Sequence, residues 1–251
     1  MAELLEPVVL GDGIQLRNRI CMGTMTRNRC TNGNKPTQVN VKHYADRARD
    51  GTGLIVPEGT FICPSGVEWP NAPVTYNDSH AEAWAKVTSE VHKVGGKILF
   101  QPWHPGRIQN ENMPMLKESG YPIYAPSKVP AKGGKYRTLE GLPGHTHNIT
   151  EIDEPETIIE QYRHSVTLAK TAGFDGIELL AQGSQERPQG KQLPPKYEPL
   201  TDFGPLIKYP GSRTMLMVNH EYTVEEARHL IQKEEIDLVT FARPLYLQSF
   251  I

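Results

Sequence analysis

Gln101, Trp103 and His104 close the apolar run Lys97-Ile98-Leu99-Phe100 and lead into Pro105-Gly106-Arg107. An amide, an aromatic and an imidazole just past a strand-length segment read as a buried strand delivering polar groups at its carboxyl end. A second segment of the same kind, Leu54-Ile55-Val56, ends in Glu58-Gly59. As neighbours in a parallel sheet, the two strands would set a carboxylate and an imidazole at one edge, with Tyr44 and Tyr124 on nearby segments. Such an acid-base pair facing a cavity can move a proton next to a carbonyl, epimerising a centre or shifting a double bond without a redox cofactor. Glu58, His104, Tyr44 and Tyr124 are therefore the candidate catalytic residues, and Trp103 a candidate substrate contact that competes with a plain packing role.

The elements that must position these groups alternate strand and helix. Residues 79–96 read as a helix, because Trp84, Val87, Val91 and Val94 recur at helical spacing and Gly95-Gly96 stops it. Residues 37–49 read as an earlier helix around Val41, Tyr44 and Ala45, preceded by a short strand over 19–23 with the polar exit Thr24-Met25-Thr26-Arg27. Residues 153–172 return to the helical period, with Ile158, Ile159, Tyr162, Val166 and Ala169 on one face, and turn into a fourth strand ending at Leu180. Two further strands, 214–218 and 236–241, flank a helix whose start carries Thr223 and Glu226 at capping-box spacing. This alternation predicts an α/β fold of the parallel-barrel kind, with the chemistry at the carboxyl ends of the strands.

Two stretches do not fit the alternation. Residues 108–149 read as irregular, and residues 183–213, with six prolines and four glycines, read as loop. A chain of 251 residues is long enough for one barrel domain over 1–251, with 108–149 as a cap insertion. The formal net charge of -2, with both signs mixed, gives no basic stripe for nucleic acid. No run approaches a membrane span, and the start lacks a secretory pattern. Cys21, Cys30 and Cys63 lack metal-ligand spacing and read as reduced thiols, which with the rest implies a soluble cytoplasmic protein. His145-Thr146-His147 in a polar loop, without paired carboxylate or cysteine, gives no metal site.

The order Ala83-Trp84, Val91-His92, Gly95-Gly96-Lys97, Gln101, Trp103-His104, Gly106-Arg107 resembles the old yellow enzyme family of flavin-dependent ene reductases. Asn18-Arg19-Ile20-Cys21-Met22-Gly23-Thr24-Met25-Thr26-Arg27, Glu58-Gly59-Thr60 and Pro70-Asn71-Ala72-Pro73 agree with it. The resemblance covers residues 7–181 and, less closely, 214–246. It implies a TIM-barrel-like (β/α)8 fold, here with strands five and six missing or replaced by the Pro-rich segment. It also implies FMN as cofactor, NADPH as reductant where FMN binds, Thr26, Gly59 and Gln101 at the isoalloxazine ring, and Arg243 at the phosphate. Natural-product metabolism would be the setting, with a small carbonyl compound or enone as substrate.

Departures from the family pattern weigh against that chemistry. Leu180 stands where a carbonyl-holding histidine belongs, Gln182 could replace its partner, and Ser184 or Gln185 falls at the proton-donating tyrosine. His220-Glu221 replaces a pair of glycines at the phosphate loop, and Ala242 a further glycine, so backbone approach is obstructed and a carboxylate faces the anion. The family also carries Glu58 and His104 as scaffold residues. Three readings follow: a flavin-independent isomerase or epimerase, an FMN-dependent NADPH ene reductase, and a non-catalytic or truncated family fragment. Two missing barrel strands would leave sheet edges that a homo-oligomer could cover.

Overall fold

The structure, a computed structural model, describes residues 2–11, 13–131, 144–180, 199–212, 214–219 and 222–241. The chain opens with α1 (Ala2–Leu5) and a hairpin of β1 (Val8–Leu10) and β2 (Ile14–Leu16). Then come β3 (Ile20–Met22), α2 (Gln38–Arg49), β4 (Leu54–Ile55), β5 (Thr60–Phe61), α3 (Asp78–Lys93), β6 (Leu99–Phe100) and β7 (Pro102–Trp103). The next stretch carries α4 (Pro114–Ser119), β8 (Ile123–Ala125) and β9 (Ile149–Glu151). It is followed by α5 (Pro155–Thr171), β10 (Gly176–Ile177), α6 (Pro199–Ile207), β11 (Met217–Val218), α7 (Val224–Gln232) and β12 (Leu238–Phe241).

The parallel strands run in the order β11-β12-β3-β4. The Ile55 N–H donates to the Lys97 carbonyl at 2.8 Å and Ile55 bridges Ile98, which joins β4 to β6. β6 in turn pairs with β10, and β5 with β7 beyond them. Six parallel positions thus follow one another around a partial barrel. Among the described residues it does not close: β10 and β11 are its two edges. At the β10 edge Ile177 and Leu179 are 49% and 61% exposed.

Helix formation follows local chemistry. Thr37 caps α2 in a reciprocal box with Asn40, and Asn77 caps α3 by accepting from the His80 N–H. Thr223 and Glu226 form the expected box at α7, with the Thr223 N–H donating to Glu226 Oε2 at 2.8 Å. On α3, Trp84, Val87 and Val91 are fully buried against Val41, Tyr44 and Ala48 of α2 and Leu168 and Ala172 at α5. The face of α5 differs from expectation: Ser165, Leu168 and Ala169 are buried while Ile159 is exposed, because the helix docks on α3 through its carboxyl half.

Two further expectations are corrected. Residues 108–149 are not wholly irregular, since α4 buries Leu116 with Met113 and Ile123, and β8 pairs in parallel with β9. Within 183–213, α6 forms despite Pro205, with Leu200 packed on the α7 and β12 cluster and Gly204 close to Leu216. Tertiary packing there outweighs a local sequence that reads as loop.

Gly96 shows how tightly α2 and α3 meet below the site. A Cβ there would stand 2.7 Å from Ala48 Cβ and 2.9 Å from Val91 Cγ1. Gly96→Ala therefore lowers the unfolding free energy by about 1–3 kcal/mol, read as a lower urea midpoint with an unchanged slope. A midpoint equal to wild type would show that the helix pair can move apart freely.

Candidate active site

The residues that follow the carboxyl ends of β3 and β4 meet at Glu58, and those that follow β6 and β10 meet at Gln101. Glu58 lies between β4 and β5 and is completely buried. Its Oε2 accepts from the Arg27 N–H at 2.8 Å and the Asn28 N–H at 3.1 Å, and its Oε1 from Asn40 Nδ2 at 3.1 Å. The Glu58 N–H donates to the Tyr44 hydroxyl at 3.0 Å. Burial pushes the carboxyl up, and the Arg27 and Asn28 N–H groups pull against it. The arrangement is a clamp: it holds the loop carrying Thr26, in which Asn28 adopts a left-handed φ of 53°. Tyr44, itself fully buried between α2 and α3, supports the clamp from the core.

Gln101, 4% exposed, donates from Nε2 to Glu178 Oε1 at 2.5 Å. Gly59 lies against its other amide atom, where a Cβ would stand 3.0 Å from Gln101 Oε1 and 3.5 Å from Trp103 Cε3. Trp103 stacks on Phe61 at 5.1 Å and belongs to the cluster beneath the β5–β7 pair, so its ring is a wall of the site by packing. Thr26 is exposed at the mouth, while Thr24 Oγ1 is buried without a partner among the described residues. Glu178 is the site residue that the sequence reading missed. Its signal was its place one step beyond β10, opposite Gln101 in the β6–β10 register.

His104 stands apart from Glu58. The Gly106 N–H donates to its Nδ1 at 3.1 Å, which leaves the proton of the neutral ring on Nε2. Nε2 is buried without a partner among the described residues, and burial of the imidazole pushes it down to about 4. Its neighbours are Gly66, whose Cβ would meet His104 Cδ2 at 3.2 Å, and Tyr162, bonded to the His104 backbone. No hydrogen bond among the described residues joins His104 to Glu58, Tyr44 or Tyr124. Tyr124 sits on β8 in the cap sheet, opposite Thr150. Glu58 and His104 thus belong to separate hydrogen-bond networks among the described residues. Gln182 and Arg243 lie outside the described residues, as do Ser184, Gln185, His220, Glu221 and Ala242.

A cavity of about 750 Å³ is bounded by Leu54, Leu99, Met217, Leu238 and Glu178, so it reaches the carboxylate that Gln101 holds. Burial and then the Glu178 carboxylate push the Cys21 thiol up to about 12, so this interior cysteine is no nucleophile.

Residues 3–184 match the family model for the NADH:flavin oxidoreductase / NADH oxidase family. The chain belongs to that family. It is 34% identical over 170 residues to 12-oxophytodienoate reductase 7 of Oryza sativa subsp. japonica, covering 66% of this chain and 41% of that protein. It is 33% identical over 181 residues to the probable flavin mononucleotide-dependent alkene reductase of Leishmania infantum, covering 70% and 48%. The chain spans about half the length of the curated relatives it matches. The solved old yellow enzyme homologue from Zymomonas mobilis shares the fold, with a TM-score of 0.78 at 23% identity, covering 96% of this chain and 89% of that one.

For a flavin oxidoreductase the ring half of a flavin site is the relevant test, and the described residues fit it. At Gly59 a side chain would press on Gln101 and Trp103, Gln101 offers a buried amide beside it, and Thr24 Oγ1 lacks a partner among the described residues. Glu58→Gln leaves one acceptor oxygen for three donors and lowers the unfolding free energy by about 1–3 kcal/mol in urea. An unchanged midpoint would show that the clamp is not the residue's role.

Glu68, between Val67 and Trp69 in the chain, gives a pH signature. Its Oε2 has no partner among the described residues, and burial pushes the carboxyl from 4.5 up to about 8. The folded state then holds this proton more tightly than the unfolded chain. The stability Glu68 contributes is full below about 4.5 and is lost as pH rises to about 8. Thermal unfolding of Glu68→Gln should decline less steeply than wild type across that window, and parallel profiles would refute the assignment.

Proposed function

We propose that this chain binds FMN at Thr26, Gly59 and Gln101 and reduces an electron-poor alkene, such as an enone, at the expense of NADPH. The observation that carries the reading is the close approach of Gln101 and Trp103 to the side-chain-free Gly59, in a chain that belongs to a flavin oxidoreductase family. FMN when bound supplies hydride transfer, which no protein side chain provides. Gly59 puts no side chain in the way of the ring, Gln101 presents its amide to the ring edge, and the Glu58 clamp holds the loop that carries Thr26. Trp103 excludes water from one wall through its stack on Phe61. Names of relatives such as the Leishmania alkene reductase support the same reaction class.

Substrate activation is the weaker half of the site. Leu180 carries no donor, and a lost oxyanion donor costs on the order of 3 kcal/mol of transition-state stabilisation. The reading therefore includes slow turnover of carbonyl-activated alkenes. The flavin-independent proton transfer expected from Glu58 and His104 is not carried forward, because Glu58 is occupied by three donors and His104 belongs to a separate network.

The test is the visible spectrum of purified protein with added FMN after removal of free flavin, followed by NADPH oxidation with a cyclic enone. Retained flavin near one per chain is expected. Gly59→Val should lose FMN affinity by at least about tenfold while unfolding cooperatively, since its side chain displaces the Gln101 amide and the Trp103 ring that face the flavin. A folded wild-type protein that retains no flavin would overturn the reading.

A further inference from the structure

Gln101 is an amide with two unlike ends, and which end lies on the Gly59 side decides what a ligand there meets. The carboxylate of Glu178 settles it. Nε2 of Gln101 donates to Glu178 Oε1 at 2.5 Å, and the opposite orientation would set the amide oxygen against a carboxylate, two acceptors face to face. Oε1 is thereby left on the Gly59 side, 3.0 Å from where a Cβ of residue 59 would be. Glu178 is itself held by backbone: its N–H donates to the Phe100 carbonyl at 2.8 Å, one step past the Ile177↔Phe100 register. Parallel neighbours project side chains to the same face, so Gln101 and Glu178 are paired by the sheet and not by chance rotamers.

We propose that Glu178 is a positioning residue, orienting the Gln101 amide so that an acceptor oxygen is presented to a flavin ring held at Gly59. This rests on the flavin reading above. An isoalloxazine edge carries one donor, the N3–H imide, between two carbonyl acceptors, so an oriented acceptor selects one register of the ring. The carboxylate behind the amide also opposes added electron density on the flavin. It thereby lowers the midpoint potential, since like charges in a poorly solvated site repel strongly.

The experiment compares wild type with Glu178→Gln for FMN dissociation constant by flavin fluorescence quenching, midpoint potential by dye equilibration, and thermal unfolding of the flavin-free protein. A glutamine at 178 removes the charge and can donate to Gln101 Oε1, which permits the amide to turn over. The expected result is at least about tenfold weaker FMN binding and a more positive midpoint potential, with flavin-free unfolding close to wild type. A purely structural role would move the unfolding temperature and leave the potential alone. Where Glu178→Gln does not fold, Glu178→Asp keeps the charge but withdraws it by one methylene, and the same loss of affinity is expected. Wild-type affinity and potential in a folded variant would overturn the assignment while leaving the flavin reading in place. A wild-type protein that takes up no FMN would overturn both.

Discussion

A buried carboxylate has to be met by donors, and the one on Glu58 is met from two directions at once. Two consecutive N–H groups of the β3 exit loop and the amide of Asn40 on α2 converge on it, while the Tyr44 hydroxyl takes the N–H of Glu58 itself. Leaving any of these groups unpaired in the interior costs free energy, so loop, helix and strand tip are held to one arrangement. The mouth of the barrel depends on that arrangement, because Thr26 belongs to the clamped loop. The same three donors give Glu58 a structural task in this arrangement.

Packing beneath the clamp is equally demanding. Trp84 and Tyr44 lie with ring centroids 6.4 Å apart in the α2–α3 interface, and Phe174 meets both Trp84 and Phe100. This aromatic ladder runs from the helices to the strand that bears Gln101. Asp175 adds polar contacts at the other end of the same strand pair, accepting from Lys97 Nζ at 2.8 Å and from the Ile98 N–H at 2.9 Å. Together they fix the β6–β10 register, and the register sets Glu178 beside Gln101. A partial barrel thus holds Gly59, Gln101 and Glu178 together at its carboxyl end even though, among the described residues, the sheet stays open between β10 and β11.

Much of this was legible in the chain itself. The spacing of Trp84, Val87 and Val91, the Thr223–Glu226 box and the glycines at 95 and 96 are local signals, and the helices and strands they announce are present. Such signals work because capping, periodicity and turn chemistry act within a few residues. The family motifs likewise pointed to Gly59 and Gln101, which the fold brings into contact. Less legible were α6, where Leu200 docks on a cluster built from residues further along the chain, and β8 with β9, which pair across an intervening stretch.

The amino-acid sequence by itself determined the alternating α/β architecture, the helix boundaries near their caps, and the family, because each rests on short-range chemistry or on ordered motifs. Only the tertiary structure decided what the polar groups at the strand tips do. Glu58 and His104 follow similar apolar runs in the chain, yet one is saturated by three donors and the other faces Gly106 and Tyr162. Glu178, inconspicuous in a strand-like run, became the partner of Gln101 once β10 paired with β6. A residue's chemistry is set by the donors, charges and solvent around it, and those come from segments far away in the chain.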